Sequence, residues 1–174
     1  MIKSNDYNKN VKNAFNFLCR PLDLKSYLPI YKSILVKKCE SGIELFATDG
    51  FRLHKITIDV FIKPGIYEVA SKVKNNIIMS LNNNLKYPDI DTVWPTQDCT
   101  NSNTCTGFIK TVTWIIRESD KEITINPDYV KALFLDKLED KINIYYYDKN
   151  TPVRFRLAVE KESIMEAIIM SVKM

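Results

Sequence analysis

The sequence predicts an α+β protein in which two helices pack on antiparallel sheets. Apolar residues recur with a helical period in two places, once from Val11 and once after Asn126. Each helical stretch is followed by segments in which apolar and polar residues alternate, as they do in strands that bury one face. The order of one helix and then two or three strands therefore occurs twice, although the amino acids themselves do not repeat. This order predicts an αβββ-type pseudo-repeat.

Length and composition limit the classes of protein to consider. The 174 residues carry 25 Lys and Arg against 21 Asp and Glu, a net charge of +4, and 45% of them are hydrophobic. This composition is sufficient for one domain with a buried core. The single histidine, His54, leaves little scope for acid–base or histidine–metal chemistry. We therefore expect a protein that is not an enzyme and needs no metal and no cofactor.

Targeting signals and cysteine usage predict the compartment. The sequence has no apolar run of about 18 residues, the length that a membrane-spanning helix needs. Its first residues are polar and rich in Asn, unlike a signal peptide. Four cysteines without an export signal indicate reduced thiols. We therefore expect a cytoplasmic protein without a membrane segment.

The first helix is predicted from the apolar spacing in Val11–Cys19. Apolar residues there recur at i, i+3, i+4, i+7 and i+8, which places them on one side of a helix, and Pro21 ends the segment. Residues 22–34 contain further apolar positions but are interrupted by Pro29. They predict a short second helical piece or a turn.

The pattern then changes to the period of a strand. Residues 43–48 and 53–60 alternate on either side of Asp49-Gly50, which predicts a β-hairpin. A third strand is predicted to begin at residues 66–69. Residues 72–81 fit a strand and a helix equally well.

Residues 82–106 are predicted to form a long polar loop. They contain three consecutive asparagines and a run of Thr, Asn, Ser and Cys, which favour turns and loops. The loop would join two pseudo-halves, 11–81 and 107–174. The doubled element order then favours a single domain over 1–174.

A second helix is predicted to begin at Asn126. Asn126 is a suitable N-cap, Pro127 suits the first turn, and Asp128 interacts favourably with the helix dipole. The apolar spacing extends this helix to Leu138. Further strands are predicted at 108–116, 122–125, 142–147, 153–159 and 164–172.

Three parts of the sequence carry a resemblance to a known family. The first is residues 47–53, Ala-Thr-Asp-Gly-Phe-Arg-Leu, and the second is residues 87–95, Tyr-Pro-Asp-Ile-Asp-Thr-Val-Trp-Pro. The third is the carboxyl-terminal part, with the strings 125–130, 151–154 and 168–174. In this order they resemble the bacterial β sliding clamp, the processivity subunit of DNA polymerase III. The family pattern reads A-T-D-G-H-R-L, F-P-D-Y-x-x-V-x-P, N-x-x-Y-L/V, S-P-V-x-I-R and M-P-M-R-L.

The resemblance covers 11–95 and 122–174, whereas a family member is longer and has three clamp domains. It implies a DNA-clamp-like fold and a miniature processivity factor of DNA replication, a homo-oligomer that encircles duplex DNA and tethers a polymerase. Rings of this fold contain six domains, so a one-domain chain would need six copies. The alternative is a monomeric adaptor or decoy that binds clamp-binding partners without encircling DNA.

The resemblance implies that basic side chains on or near the helices face duplex DNA. A clamp that slides needs contacts to phosphates and none that read bases. The alternative is that these side chains only solvate an exposed surface. The candidate DNA-binding residues are Lys9, Lys12, Arg20, Lys25, Lys131 and Lys137.

The resemblance also implies a pocket for a short, apolar-ended peptide of polymerases and other clamp-binding proteins. Met and branched aliphatic residues would form an adaptable apolar slot, and the Arg52 guanidinium would suit a carbonyl or an acidic group. The alternative is that Ile168, Met170 and Val172 form one face of a buried terminal strand. The candidate pocket residues are Thr48, Gly50, Phe51, Arg52, Leu53, Pro88, Val93, Ile168, Met170 and Val172.

The sequence departs from the family pattern at several of these positions. Phe51 stands where the family has His, and Thr92 stands where it has a basic residue. Residues 170–174 read Met-Ser-Val-Lys-Met in place of M-P-M-R-L. We therefore expect the accepted peptide to differ from the one that the family binds.

Metal-dependent chemistry is disfavoured. Cys99 and Cys105 lack the close spacing of zinc ligands. Asp89, Asp91 and Asp98 could recruit magnesium for a nuclease, but they lie in turn-like sequence where Asp is common for backbone reasons. The sequence also lacks the usual nucleotide-binding and acyl-transfer motifs.

Overall fold

The computed structural model describes residues 1–73, 76–94, 101–106, 123–133, 141–146, 152–157 and 163–170. The chain divides into two compact units. The first comprises Met1–Pro88 and Val159–Met165, and the second comprises Asp89–Ala158 and Glu166–Met174. Within the described ranges, no helix combines the length and apolar character that crossing a membrane requires.

The first unit contains one helix and an antiparallel sheet. The strands lie in the order β1-β6-β5-β2-β3-β4, and neighbouring strands are antiparallel. Short 3₁₀ helices occur at Ser4–Asp6 and Pro29–Lys32. The elements are β1 (Ile2–Lys3), α1 (Lys9–Leu18), β2 (Ser33–Cys39), β3 (Gly42–Thr48), β4 (Arg52–Ile58), β5 (Gly65–Val73) and β6 (Asn76–Leu81).

Helix α1 forms where the apolar spacing predicts it. The Asn8 side chain accepts a hydrogen bond from the Val11 backbone N–H at 2.9 Å, which satisfies one of the first amides of the helix. Val11, Phe15 and Leu18 are buried, and the helix packs on β3, β4 and β6. The helix therefore supplies one layer of the core and the sheet supplies the other.

The hairpin around Asp49-Gly50 is also confirmed. Strands β3 and β4 pair from Ile43 opposite Ile58 to Thr48 opposite Leu53. The short helical piece is confirmed as the 3₁₀ helix at Pro29–Lys32.

Two strands of the first unit lie where the sequence predicted a helical piece or was ambiguous. The prediction extended the helical piece to residue 34, but Ser33 begins β2, which lies between β3 and β5. A short apolar run does not reveal whether it is helical or extended, and here the pairing partners on both sides decide it. The ambiguous segment ends in strand β6, which pairs with β5.

The second unit contains a short helix and four strands. The strands lie in the order β7-β8-β9-β10, and the first two pairs of neighbours are antiparallel. The residues of β10 from Glu166 onward belong to this unit. The elements are β7 (Asn101–Thr106), α2 (Pro127–Lys131), β8 (Lys141–Tyr146), β9 (Val153–Leu157) and β10 (Ser163–Ile169).

Helix α2 begins as predicted, with Asn126 as its N-cap. The Asn126 side chain accepts a hydrogen bond from the Asp128 backbone N–H at 2.9 Å. The regular helix ends at Lys131, and Ala132 is its C-cap. The predicted continuation to Leu138 extends into 134–140, which lies outside the described residues.

Two predictions in the second unit are wrong. The polar loop was predicted to run to residue 106, but Asn101–Thr106 is a strand that pairs with β8. Main-chain hydrogen bonds hold such a strand without requiring apolar side chains, so its polar composition concealed it. Residues 123–125 were predicted as a strand but are irregular, although Ile123 and Ile125 are buried. The strand predicted at 108–116 lies outside the described residues.

The αβββ-type order is present in both units. Helix α1 is followed by the neighbouring strands β2, β3 and β4, and helix α2 is followed by the neighbouring strands β8, β9 and β10. The predicted α+β class is therefore confirmed.

Candidate functional site

The turn between β3 and β4 is rigid because its side chains bond to its own backbone. The Asp49 carboxylate accepts hydrogen bonds from the backbone N–H groups of Phe51 and Arg52, each at 3.0 Å, and from Arg52 Nε at 2.9 Å. The Thr48 hydroxyl donates to the Arg52 carbonyl at 2.8 Å and accepts from the Gly50 N–H at 3.0 Å. Residues 48–52 therefore form a turn whose shape is fixed by its own hydrogen bonds.

Gly50 allows this turn to pack against Tyr31. Its φ is +90°, a conformation that residues with a side chain rarely adopt. A Cβ at this position would lie 2.8 Å from the Tyr31 hydroxyl oxygen. Phe51, at the tip, is 62% exposed, whereas Leu53 is buried in the core.

Three side chains bind backbone carbonyls around the carboxyl end of α1. Arg52 Nη2 donates to the Arg20 carbonyl at 3.3 Å, and Lys72 Nζ donates to the Cys19 carbonyl at 2.5 Å. His54 Nδ1 lies 2.8 Å from the Phe17 carbonyl and is the donor, since a carbonyl only accepts. Cations at this end of a helix also interact favourably with its dipole. No pattern in the sequence indicates this role for Lys72.

The electrostatics beneath the turn do not favour acid–base or nucleophilic chemistry. Burial lowers the pKa of His54 to about 3, so its ring is neutral near pH 7. Burial raises the pKa of the Cys19 thiol to about 12, so the thiol stays protonated. Burial also lowers the pKa of Lys72. His54 and Cys19 are therefore core residues.

Arg154 is the centre of a second cluster, in the second unit. Its Nε and Nη2 donate to Glu166 Oε1 at 3.2 and 2.5 Å, and Glu166 is only 3% exposed. Its guanidinium carbon lies 5.6 Å from the Trp94 ring centroid and 5.5 Å from that of Tyr145, within cation–π range. The sequence strings contained Trp94 and Arg154 but gave no sign that they meet.

Three predicted pocket residues of the second unit, Val93, Ile168 and Met170, are close in the sequence to members of this cluster. Side chains alternate along β10, so Glu166 and Ile168 occupy one face, and Met170 follows the end of the strand. Ile168 is buried at 2% exposure, as the alternative of a buried terminal strand expected, but Met170 is 39% exposed. Val93, next to Trp94, is 38% exposed. We call the cluster and these neighbours the Trp94 surface: Val93, Trp94, Tyr145, Arg154, Glu166, Ile168 and Met170.

The last two pocket candidates are Pro88 and Val172. Pro88 is exposed at the boundary of the first unit. Val172 lies outside the described residues. The grouping of all ten candidates into one pocket stays a prediction.

The exposed side of α1 is polar and carries no acidic residue. It presents Lys9, Lys12, Asn13 and Asn16, of which Lys9 is exposed and the other three are half-buried. The other described candidates lie elsewhere: Arg20 is half-buried after α1, and Lys25 and Lys131 are exposed. Lys137 lies outside the described residues.

No metal centre is found in the part of the chain that the structure describes. No three His, Cys, Asp or Glu side chains there lie close enough together to hold an ion. The Asp89 carboxylate instead accepts a hydrogen bond from the Asp91 N–H at 3.1 Å, within a turn. Cys99 and Asp98 lie outside the described residues.

Comparison with known proteins identifies the fold. No protein-family model matches the chain, and no curated protein matches it by sequence. Solved structures do match: the DNA polymerase III β subunit of Thermotoga maritima has a TM-score of 0.65 at 10% identity, covering 95% of this chain and 64% of that one. The β subunit of Borrelia burgdorferi, in complex with a natural product, gives 0.61 at 13% identity, covering 94% and 62%.

A third solved structure also matches this chain. The β clamp of H. pylori in complex with diflunisal has a TM-score of 0.60 at 9% identity, covering 94% of this chain and 64% of that one. The chain thus spans less than two thirds of the length of the structures that it matches. It has the fold of the bacterial β sliding clamps.

Proposed function

We propose that this chain is a non-enzymatic processivity factor that assembles around duplex DNA and holds a DNA polymerase through a peptide. The observation that carries the proposal is the clamp fold over 94–95% of the chain. Three candidate surfaces add support, because one has side chains that suit DNA and the other two have side chains that suit a peptide.

Helix α1 suits duplex DNA. Between Lys9 and Leu18 the helix has two Lys and three Asn and no Asp or Glu. Ammonium and amide groups bond phosphate oxygens without reading bases, which is the contact that sliding requires.

The turn and the Trp94 surface suit a peptide. The turn offers the exposed ring of Phe51 on a backbone that Asp49 holds in place. The Trp94 surface offers the exposed apolar side chains of Val93 and Met170. Small apolar sites with a few fixed polar groups are typical of peptide recognition.

The solution mass across a range of concentrations tests the assembly. A ring of six single-domain copies would have a mass of about 121 kDa, six times the 20.2 kDa of one chain. If each compact unit takes the place of one clamp domain, three copies of about 61 kDa would complete a ring. A stable 20.2 kDa monomer would reject the ring and favour the adaptor or decoy.

Retention on circular DNA tests encirclement. A closed ring stays on a nicked circular plasmid and slides off the same plasmid after linearisation. The doubly substituted variant Lys9→Gln and Lys12→Gln should bind more weakly and lose less affinity as salt rises, because it neutralises fewer phosphates. Equal retention on the circular and linear forms would reject encirclement.

A further inference from the structure

Lys72 of β5 is a half-buried cation that has donors to spare. Its Nζ donates to the Cys19 carbonyl at the end of α1. An ammonium group has three N–H donors, and the residues that the structure describes accept from one of them. No carboxylate among these residues forms an ion pair with Lys72. Placing a charged group away from water is costly unless other groups compensate it, so an anionic ligand would stabilise Lys72 in this position.

Two guanidinium groups lie close to this ammonium. Arg52 Nη2 donates to the carbonyl of Arg20, which directly follows Cys19, so Lys72 and Arg52 bind consecutive carbonyls. Burial lowers the pKa of Lys72, Cys19 raises it, and the charges of Arg20 and Arg52 lower it further. None of the groups that act on this pKa is a carboxylate. The two guanidinium groups therefore add to the positive potential at Lys72.

The neighbouring polar groups leave this potential in place. The Asp49 carboxylate accepts from Arg52 Nε and from two backbone N–H groups of its own turn. The His54 ring is neutral near pH 7 because it is buried. The carbonyls at the end of α1 contribute only the partial negative charge of a helix terminus. The carboxyl end of α1 therefore attracts an anion from solution.

The shape of the donors favours a phosphate over a carboxylate. A carboxylate has two oxygens in one plane, which suits a single guanidinium. A phosphate group has oxygens that point in several directions, so it can accept from an ammonium and from guanidinium groups at the same time. Three cationic side chains that come from α1, β4 and β5 match the second geometry better than the first.

We propose that Lys72, together with Arg20 and Arg52, forms a binding site for a phosphate group at the carboxyl end of α1. The Lys72 ammonium donates to the phosphate oxygens, and the two guanidinium groups supply further positive charge. Two sources carry this chemistry, the backbone of DNA and a free phosphate ion. The site requires neither ring assembly nor peptide tethering.

Two probes test the site at about 0.15 M sodium chloride. Inorganic phosphate is titrated by NMR, and a short, fluorescently labelled DNA duplex without terminal phosphates is titrated by fluorescence polarisation. Lys72→Gln should weaken binding of at least one probe about tenfold, the effect of losing a hydrogen bond between charged groups. Lys72→Arg should retain most of the affinity. Lys38→Gln is the matched control, because it removes an exposed positive charge from β2 of the same unit and should change neither affinity.

The two probes distinguish the sources. A loss for inorganic phosphate alone identifies a site for the free ion. A loss for the duplex identifies the DNA backbone, and the slope of log affinity against log salt should then fall by about one. Either result supports a phosphate site at Lys72.

A measurement on the wild-type protein covers the case in which Lys72→Gln fails to fold, as circular dichroism would show. The NMR signal of the Lys72 Cε–Hε groups should shift as a probe is added, whereas that of Lys38 should not. Equal affinities of the wild-type protein and Lys72→Gln for both probes would overturn the inference, as would an equal loss in Lys38→Gln. An unmoved Lys72 signal would also overturn it. None of these results depends on retention on circular DNA, so the inference and encirclement fail separately.

Discussion

The two units each hold an arginine against a carboxylate, but they do so in different ways. Arg52 pairs with Asp49 three residues earlier, inside one turn, and both side chains are partly exposed. Arg154 pairs across strands with Glu166, which is buried. The first pair shapes a local turn, whereas the second joins two strands and compensates a charge that water cannot reach. Substitutions should therefore be less destabilising at the first pair than at the second.

At neutral pH, the largest effect is expected from breaking the second pair. Arg154→Met should lower the free energy of unfolding by about 3 kcal/mol, because it removes the guanidinium that compensates the charge of the buried Glu166 carboxylate. Glu166→Met in the same chain should restore a large part of that loss. Urea denaturation of both single variants and the double variant measures this, and additive losses would contradict a direct pair.

Acidification should destabilise the first unit through its buried neutral ring. Burial holds the pKa of His54 at about 3 in the folded protein, below the ordinary 6.5 of a histidine, so the unfolded state takes up a proton first as the pH falls. The contribution of His54 to the free energy of unfolding is complete above about pH 6.5. It decreases toward pH 3 by roughly 1.4 kcal/mol per pH unit within that window.

The matched control for this titration is His54→Gln. Urea denaturation at pH 7 and pH 5 should show a smaller loss for the variant than for the wild-type protein, since only the histidine titrates in this range. An equal pH dependence of both proteins would show that His54 is not the group responsible.

A smaller effect is expected at the tip of the first turn. Gly50→Ala should lower the free energy of unfolding by about 1–2 kcal/mol, because φ is +90° and the new Cβ meets the Tyr31 hydroxyl. Adding Tyr31→Phe should recover the part that comes from the hydroxyl contact. Thermal unfolding measures both, and no recovery would assign the whole cost to the backbone.

The smallest effect on stability is expected at the exposed apolar residues of the β3–β4 turn and of the Trp94 surface. Phe51→Ala and Met170→Ala should change the free energy of unfolding by less than about 0.5 kcal/mol. Each should nevertheless weaken binding of a fluorescently labelled, amidated peptide that ends in Leu-Phe several-fold, as fluorescence polarisation would show. If neither variant weakened binding, neither the turn nor the Trp94 surface would contact the peptide.

The difference between the two pairs also explains what could be predicted from the sequence. The hairpin around Asp49-Gly50 and the cap at Asn126 depend on neighbouring residues, so local patterns were sufficient. Glu166 meets Arg154 only because β9 and β10 lie side by side, and no spacing in the sequence indicates that these two strands are neighbours. Likewise, strand β7 is polar and is defined by its pairing with β8, which composition does not reveal.

The contacts around the end of α1 have a consequence for folding. A helix of ten residues is marginal on its own in water, and the side chains that bind carbonyls around its last turn come from β4 and β5. The helix should therefore gain its full stability only when those strands are in place. We expect the last amides of α1 to exchange with deuterium at the same rate as those of β4, as parts of one cooperative unit.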